Sequence, residues 1–248
     1  MLKITKLHRS FALLFLALLT AASTVFAQPA KGPQPRIEID HDYYYFGYMP
    51  FNAIVQHKYW IRNKGADTLQ IIKVKPGCGC TAAPISKEHV APGDSAELKV
   101  IFDSKNMIGK MVKEVEIFSN DPNRQAISVK FFALVNQEHQ FIRAEPNTLR
   151  FSKFGSKDGK MIKTLDIANN SDTDIELNLV ELPRSNFKID KTTAKIRKGE
   201  KATFTLEQVE SVTDENDVMV SVTFEFIGSE TDRITVPLVA HLQSLGSK

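Results

Sequence analysis

Two cysteines stand one residue apart in Cys78-Gly79-Cys80-Thr81, and the 248-residue chain has no others. A thiol pair at that spacing supports three kinds of chemistry. A disulfide needs Cα atoms about 4.4–6.8 Å apart, which residues i and i+2 meet when the chain bends, and Gly79 permits the bend. Such a ring would be small and strained, more reducible than a structural cross-link, and would close almost no loop entropy. Two thiolates on one loop also suit a soft ion such as Cu(I) or Zn(II). Structural zinc pairs, however, usually leave about two to four residues between the cysteines. A second pair is lacking, so His57 or His89 would have to be recruited through the fold. The third possibility is two reduced thiols packing a tight turn.

Three other groups carry chemically interesting side chains. Asp40-His41-Asp42 has the residue types of a ligand cluster. On a strand, though, the two aspartates project from one face and His41 from the other, so the group reads as a polar edge. The aromatic run Tyr43 to Phe46, with Tyr48 and Phe51, offers a binding surface. At least half of it is expected in the core, because alternate side chains of a sandwich point inward. Asp214-Glu215-Asn216-Asp217 lacks the spaced oxygen ligands of a calcium loop and reads as a solvated hairpin tip. Gly-x-Ser-x-Gly, phosphate-loop and His-Glu-x-x-His patterns do not occur. The sequence therefore assigns no catalytic residue, no metal and no cofactor. Its one candidate site is a redox or binding loop of Cys78, Gly79, Cys80 and Thr81.

The chain begins with a basic head (Lys3, Lys6, Arg9), an apolar run from Phe11 to Ala22, and Val25 and Ala27 at −3 and −1. Residues 1–27 thus read as a cleaved export signal, and the apolar run falls short of the about 20 residues a transmembrane helix needs. Residues 28–35 are linker-like. No cysteine follows the cleavage position, so no lipid anchor and no integral membrane segment are expected, and the product should be periplasmic or secreted. The signal holds three of the 32 basic residues and none of the 29 acidic ones, which leaves 29 of each. A chain of zero net charge gives no electrostatic reason to expect nucleic acid or an anionic membrane as partner.

The remaining chain has length for one or two domains of about 100–150 residues. Val55, His57, Tyr59 and Ile61 alternate with Gln56, Lys58, Trp60 and Arg62, the period of a half-buried strand. Asn63 to Asp67 is a turn in which Gly65 is free to take positive φ. Ala96, Leu98, Val100 and Phe102, then Ile127, Val129, Phe131, Ala133 and Val135, continue the alternation. About seven short strands spaced by about 8–12 residues are the pattern of an immunoglobulin-like sandwich. The second half repeats the first. Phe46-Gly47 recurs as Phe154-Gly155, the Asn63 turn as Asn169 to Asp172, and Val90 to Asp94 as Ile196 to Glu200. Ser185-Asn186-Phe187 takes the place of the cysteine loop. The fold class is all-β: two tandem immunoglobulin-like sandwiches, residues 36–136 and 137–248, each expected to fold on its own.

Phe46-Gly47, Asn63-x-Gly65, Cys78-Gly79-Cys80-Thr81, Pro92-Gly93 and Ser119-Asn120-Asp121-Pro122 follow in one order. Over residues 37–135 they resemble the bacterial domain-of-unknown-function family 1573, whose signature is the Cys-Gly-Cys-Thr loop. That family is similar to the immunoglobulin-like modules of the Hydin and major-sperm-protein group. The resemblance implies an exported β-sandwich and no catalytic residues. The expected function is a non-enzymatic module that binds another envelope protein of unknown identity. Two alternatives stand beside it: thiol exchange or Cu(I) handling at Cys78 and Cys80, and a periplasmic chaperone, which also has two such domains.

Overall fold

Period-two alternation buries one face of nearly every strand from Ile37 onward. In the strand Ile54–Asn63, for example, Val55, His57, Tyr59, Ile61 and Asn63 are buried while Trp60 and Arg62 are exposed. The structure is a computed structural model that describes residues 32–152, 161–209, 218–227 and 229–241. The expected export signal, Phe154-Gly155 and the acidic stretch at 214–217 lie outside the described residues.

In the first half the strands are β1 (Ile37–Ile39), β2 (Tyr43–Met49), β3 (Ile54–Asn63), β4 (Leu69–Pro76), β5 (Thr81–Ala82), β6 (His89–Val90), β7 (Ser95–Asp103), β8 (Gly109–Ser119) and β9 (Ala126–Val135). In the second they are β10 (Ile142–Glu145), β11 (Leu149–Ser152), β12 (Ile162–Asn169), β13 (Ile175–Glu181), β14 (Phe187–Ile189), β15 (Thr193–Ile196), β16 (Lys201–Gln208), β17 (Val218–Phe226) and β18 (Ser229–His241). The small sheet of the first half has the order β1-β3-β7-β5, and that of the second β10-β12-β16-β14. Across from each lies a larger sheet, with β2-β9-β8-β4-β6 in the first half and β11-β18-β17-β13-β15 in the second. The second order repeats the first, strand for strand. Each half has a parallel pair at the same place, β2 on β9 and β11 on β18. The chain is thus two tandem immunoglobulin-like β-sandwiches, and no helix of the described residues is long and apolar enough to cross a membrane.

The repeat extends to single hydrogen bonds. Asn63 donates from Nδ2 to the carbonyls of Asp67 (2.7 Å) and Val90 (2.9 Å). Asn169 does the same to Thr173 (2.8 Å) and Ile196 (3.2 Å). The amide of Gly93 reaches the Asn63 carbonyl as that of Gly199 reaches Asn169. A buried asparagine in each sandwich therefore ties a hairpin turn to a distant strand.

Two cores result, one built around Phe46, Tyr59, Phe102 and Phe131, the other around Phe151, Phe187, Phe204 and Phe224. Each takes a side chain from the opposite half: Val180 packs against the first core and Tyr48 against the second. The larger sheets also join, because β18 pairs with β2 through Ile234 and Tyr48 to give one sheet of ten strands. This junction was not visible in the alternation pattern.

Two local expectations need correction. Gly65 does not take positive φ. It is required because the backbone of Gln34 to Arg36 crosses it, and a Cβ there would lie 2.3 Å from the Gln34 carbonyl oxygen. Asp40-His41-Asp42 stands before the aromatic strand as a polar edge, but as the bend between β1 and β2 rather than as strand. Asp40 Oδ1 caps the bend by accepting from the amides of His41 and Trp60, both at 3.0 Å. In the aromatic run from Tyr43 to Phe46, Tyr44, Tyr45 and Phe46 are all buried and Tyr43 is exposed, while beyond it Tyr48 is half-buried and Phe51 exposed. The register of β2 shifts between Tyr45 and Gly47, and both faces of β2 are covered, Tyr45 stacking on Phe132 at 4.8 Å.

Candidate functional site

The cysteine loop follows directly from β4. Its start is fixed by the Gly77 amide on the Glu114 carbonyl, and its end by the Cys80 carbonyl, which accepts from Asp103. Thr81 then pairs with Phe102 of β7. Held between two sheets, Cys78 and Cys80 are joined as a disulfide with Cα atoms 5.2 Å apart. Their sulfurs lie 3.4 and 3.8 Å from the Thr81 hydroxyl, which is buried beneath them. Gly79 lies outside the left-handed region, and a Cβ there would meet nothing within 4 Å. The ring holds too little chain to restrict the unfolded state much. Replacing both cysteines with serine is therefore expected to cost on the order of 1 kcal/mol in a urea melt. A loss of several times that would make the ring a structural staple.

Beside the loop, β4 is an edge strand. Among the described residues β6 pairs with it only at Leu69 and Gln70, and from Ile72 to Pro76 its ladder partner is β8 alone. Ile72 follows the buried Ile71 on the alternating strand and so faces outward, where it is 62% exposed, and a register shift between Ile71 and Lys73 interrupts the ladder there. Ile72, Lys73, Lys75 and Phe118 line a recess of about 630 Å³ whose floor includes Ser119 and Asn120. Lys75 pairs with Glu116 at 2.9 Å on one side of it. This is an apolar step flanked by lysines on an open strand.

A third group, which the sequence reading did not assemble, fastens the two sandwiches. His57 is buried on β3, stacked on Tyr44 with ring centroids 3.5 Å apart. Its Nδ1 meets Glu181 Oε2 of the second sandwich at 2.7 Å, and its Nε2 meets His41 Nε2 at 2.7 Å. His41 Nδ1 lies 3.2 Å from Asp40. Two of these contacts join a ring to a carboxylate and the third joins the two rings, where one Nε2 donates and the other accepts. Burial lowers the pKa of His41, with Asp40 pulling the other way. Tyr44 and Tyr59 have their hydroxyl pKa values pushed up, by burial first and Glu181 second. Arg233 closes the group from β18, over the Tyr44 ring and paired with Glu225 at 2.9 Å. The ring nitrogens face each other at hydrogen-bond distance. Among the described residues no cluster of three or more His, Cys, Asp or Glu is placed to hold a metal. One signal was present in the sequence: His57 sits on the apolar face of its strand, where a titratable group needs a partner.

Asp121 explains another of the sequence motifs. Burial raises its carboxyl pKa, but donors from Asn123, Ile37 and Arg124 outweigh that and hold it below the usual range. The bond from the Ile37 amide, 2.8 Å, ties β1 to the β8–β9 turn.

Residues 37–135 match the model of a family described as proteins of unknown function, DUF1573. No curated protein matches the chain in sequence. Among solved structures, a protein of unknown function from Porphyromonas gingivalis is similar at 11% identity and TM-score 0.34, over 83% of this chain and 99% of its own. WR4, a major-sperm-protein family member from C. elegans, is 13% identical with TM-score 0.34, over 41% of this chain and 99% of its own. The CupB2 chaperone of Pseudomonas aeruginosa is 11% identical with TM-score 0.31, over 81% and 98%.

Proposed function

We propose that this protein is an exported, non-enzymatic binding module of the bacterial envelope whose partner protein docks on the edge of β4. The observation that carries this reading is Ile72, a large apolar side chain exposed on a strand open along one side. An added strand would satisfy open backbone groups, and the recess beside Phe118 would take an apolar side chain. Flanking Lys73 and Lys75 favour a partner with acidic residues next to that side chain. The Cys78–Cys80 disulfide favours a second reading, thiol–disulfide exchange at the neighbouring loop.

A pull-down from the organism's own envelope extract separates the two. Binding is expected to survive Cys78→Ser with Cys80→Ser and to fall about tenfold or more with Ile72→Glu, since burying one unpaired charge costs well over 1.4 kcal/mol. Insulin reduction and Cu(I) retention after desalting are expected at background. Binding that vanishes with the serines but tolerates Ile72→Glu, or turnover abolished by Cys78→Ser, favours exchange instead.

A further inference from the structure

His139 lies in the segment between β9 and β10, and its ring touches both sandwiches. It meets Tyr48 of β2 edge-on at 4.9 Å and Phe226 of β17 at 5.3 Å. Its Nδ1 accepts from two consecutive backbone amides, Phe141 at 3.1 Å and Ile142 at 3.0 Å. Two donors converging on one nitrogen require a lone pair there. The ring proton therefore sits on Nε2, which points toward Asp232 Oδ1 of β18 at 3.9 Å. We propose that His139 is a proton-operated pin, which clamps the connecting segment between the sandwiches while its ring is neutral and releases it on protonation.

A proton on Nδ1 would set N–H against N–H twice and remove the acceptor for both amides. The other charged groups facing the ring do not reverse this. Arg143 of β10 bonds to the His139 carbonyl and to Glu138 at 2.8 Å, so its charge is partly neutralised yet still opposes an imidazolium. Asp232 favours the cation but sits at the opposite nitrogen. Burial lowers the ring's pKa from the ordinary 6.5, with Asp232 acting against it and Arg143 with it. A histidine with a lowered folded pKa contributes stability that is present above pH 6.5 and is lost as pH falls below it. Protons can reach the ring, because a cavity of about 550 Å³ between the sandwiches is lined by His139, Arg143, Arg150 and Phe51.

The test is amide hydrogen exchange and ring NMR on the purified protein between pH 8 and about pH 5, the range in which only histidine ordinarily titrates. Protection of Phe141 and Ile142, relative to the core amide of Val236, is expected to fall about tenfold per pH unit between 6.5 and the folded pKa. His139→Asn, whose Oδ1 accepts at every pH, is expected to abolish that dependence. Equal dependence in His139→Asn would assign the effect to His41 or His57 and overturn the proposal. Should that variant not fold, the wild-type ring decides. A proton on Nδ1 at neutral pH, or a ring titration without movement of the two amides, also overturns it.

Discussion

Gly47→Ala is expected to destabilise the protein by about 2–5 kcal/mol, from a left-handed backbone cost of about 1–2 and an overpacking cost of about 1–3. Gly47 has φ of 73°. A Cβ there would lie 2.0 Å from the carbonyl oxygen and 2.4 Å from the carbonyl carbon of Arg233. Neither atom is the end of a flexible side chain, so β18 would have to move away from β2. That movement would cost the contacts crossing the junction: Arg233 Nη1 to the Tyr45 carbonyl at 3.2 Å and the Thr235 hydroxyl to the Phe46 carbonyl at 2.5 Å. Gly93→Ala is the control. It has φ of 79° but nothing within 4 Å of its Cβ position, so it should cost only the conformational part, about 1–2 kcal/mol. The difference between the two urea midpoints measures the junction contact. Equal losses would mean that the sandwiches do not press on each other at Gly47.

The Phe46-Gly47 pair was legible as a recurring motif, but its reason was not. Alternation reports which face of a strand is buried and says nothing of a second sandwich arriving on the other edge. The same limit hid the His57–Glu181 contact, whose partners stand 124 residues apart on different sandwiches. Local chemistry was easier to read. Strand faces from Val55 to Ile61 and from Ala96 to Phe102 follow the pattern of the chain, because a half-buried sheet imposes a strict period of two. The cysteine loop was located by composition, and its bonding was left among three states until the fold set Cα atoms 5.2 Å apart. Gly65 shows the opposite error. A glycine in a turn was read through φ, whereas the requirement came from a crossing backbone segment.

Asn63→Ala is expected to cost about 3 kcal/mol, the upper end of the about 1–3 for a buried group left without its partner, because a fully buried site is emptied as well. The buried amide donates to the Asp67 and Val90 carbonyls and accepts from the Gly65 amide at 2.9 Å. Alanine would remove these bonds and the one from the Arg36 amide at 3.3 Å, orphan the buried Val90 carbonyl, and leave a void where two hairpins are tied. Asn169→Ala should cost a similar amount, since it loses the Thr173 and Ile196 carbonyls and the Ser171 amide. The pair also tests how far the sandwiches melt separately. The chain has one tryptophan, Trp60, on β3 of the first sandwich, so its fluorescence reports that half while far-ultraviolet circular dichroism reports both. If each half is its own cooperative unit, Asn63→Ala moves the Trp60 transition by its full cost and Asn169→Ala moves it little. The junction through Gly47, Val180 and Glu181 sets the size of that residual shift. A Trp60 midpoint displaced equally by both substitutions would show one cooperative unit instead. The shared ten-stranded sheet would then be a condition of folding for both halves.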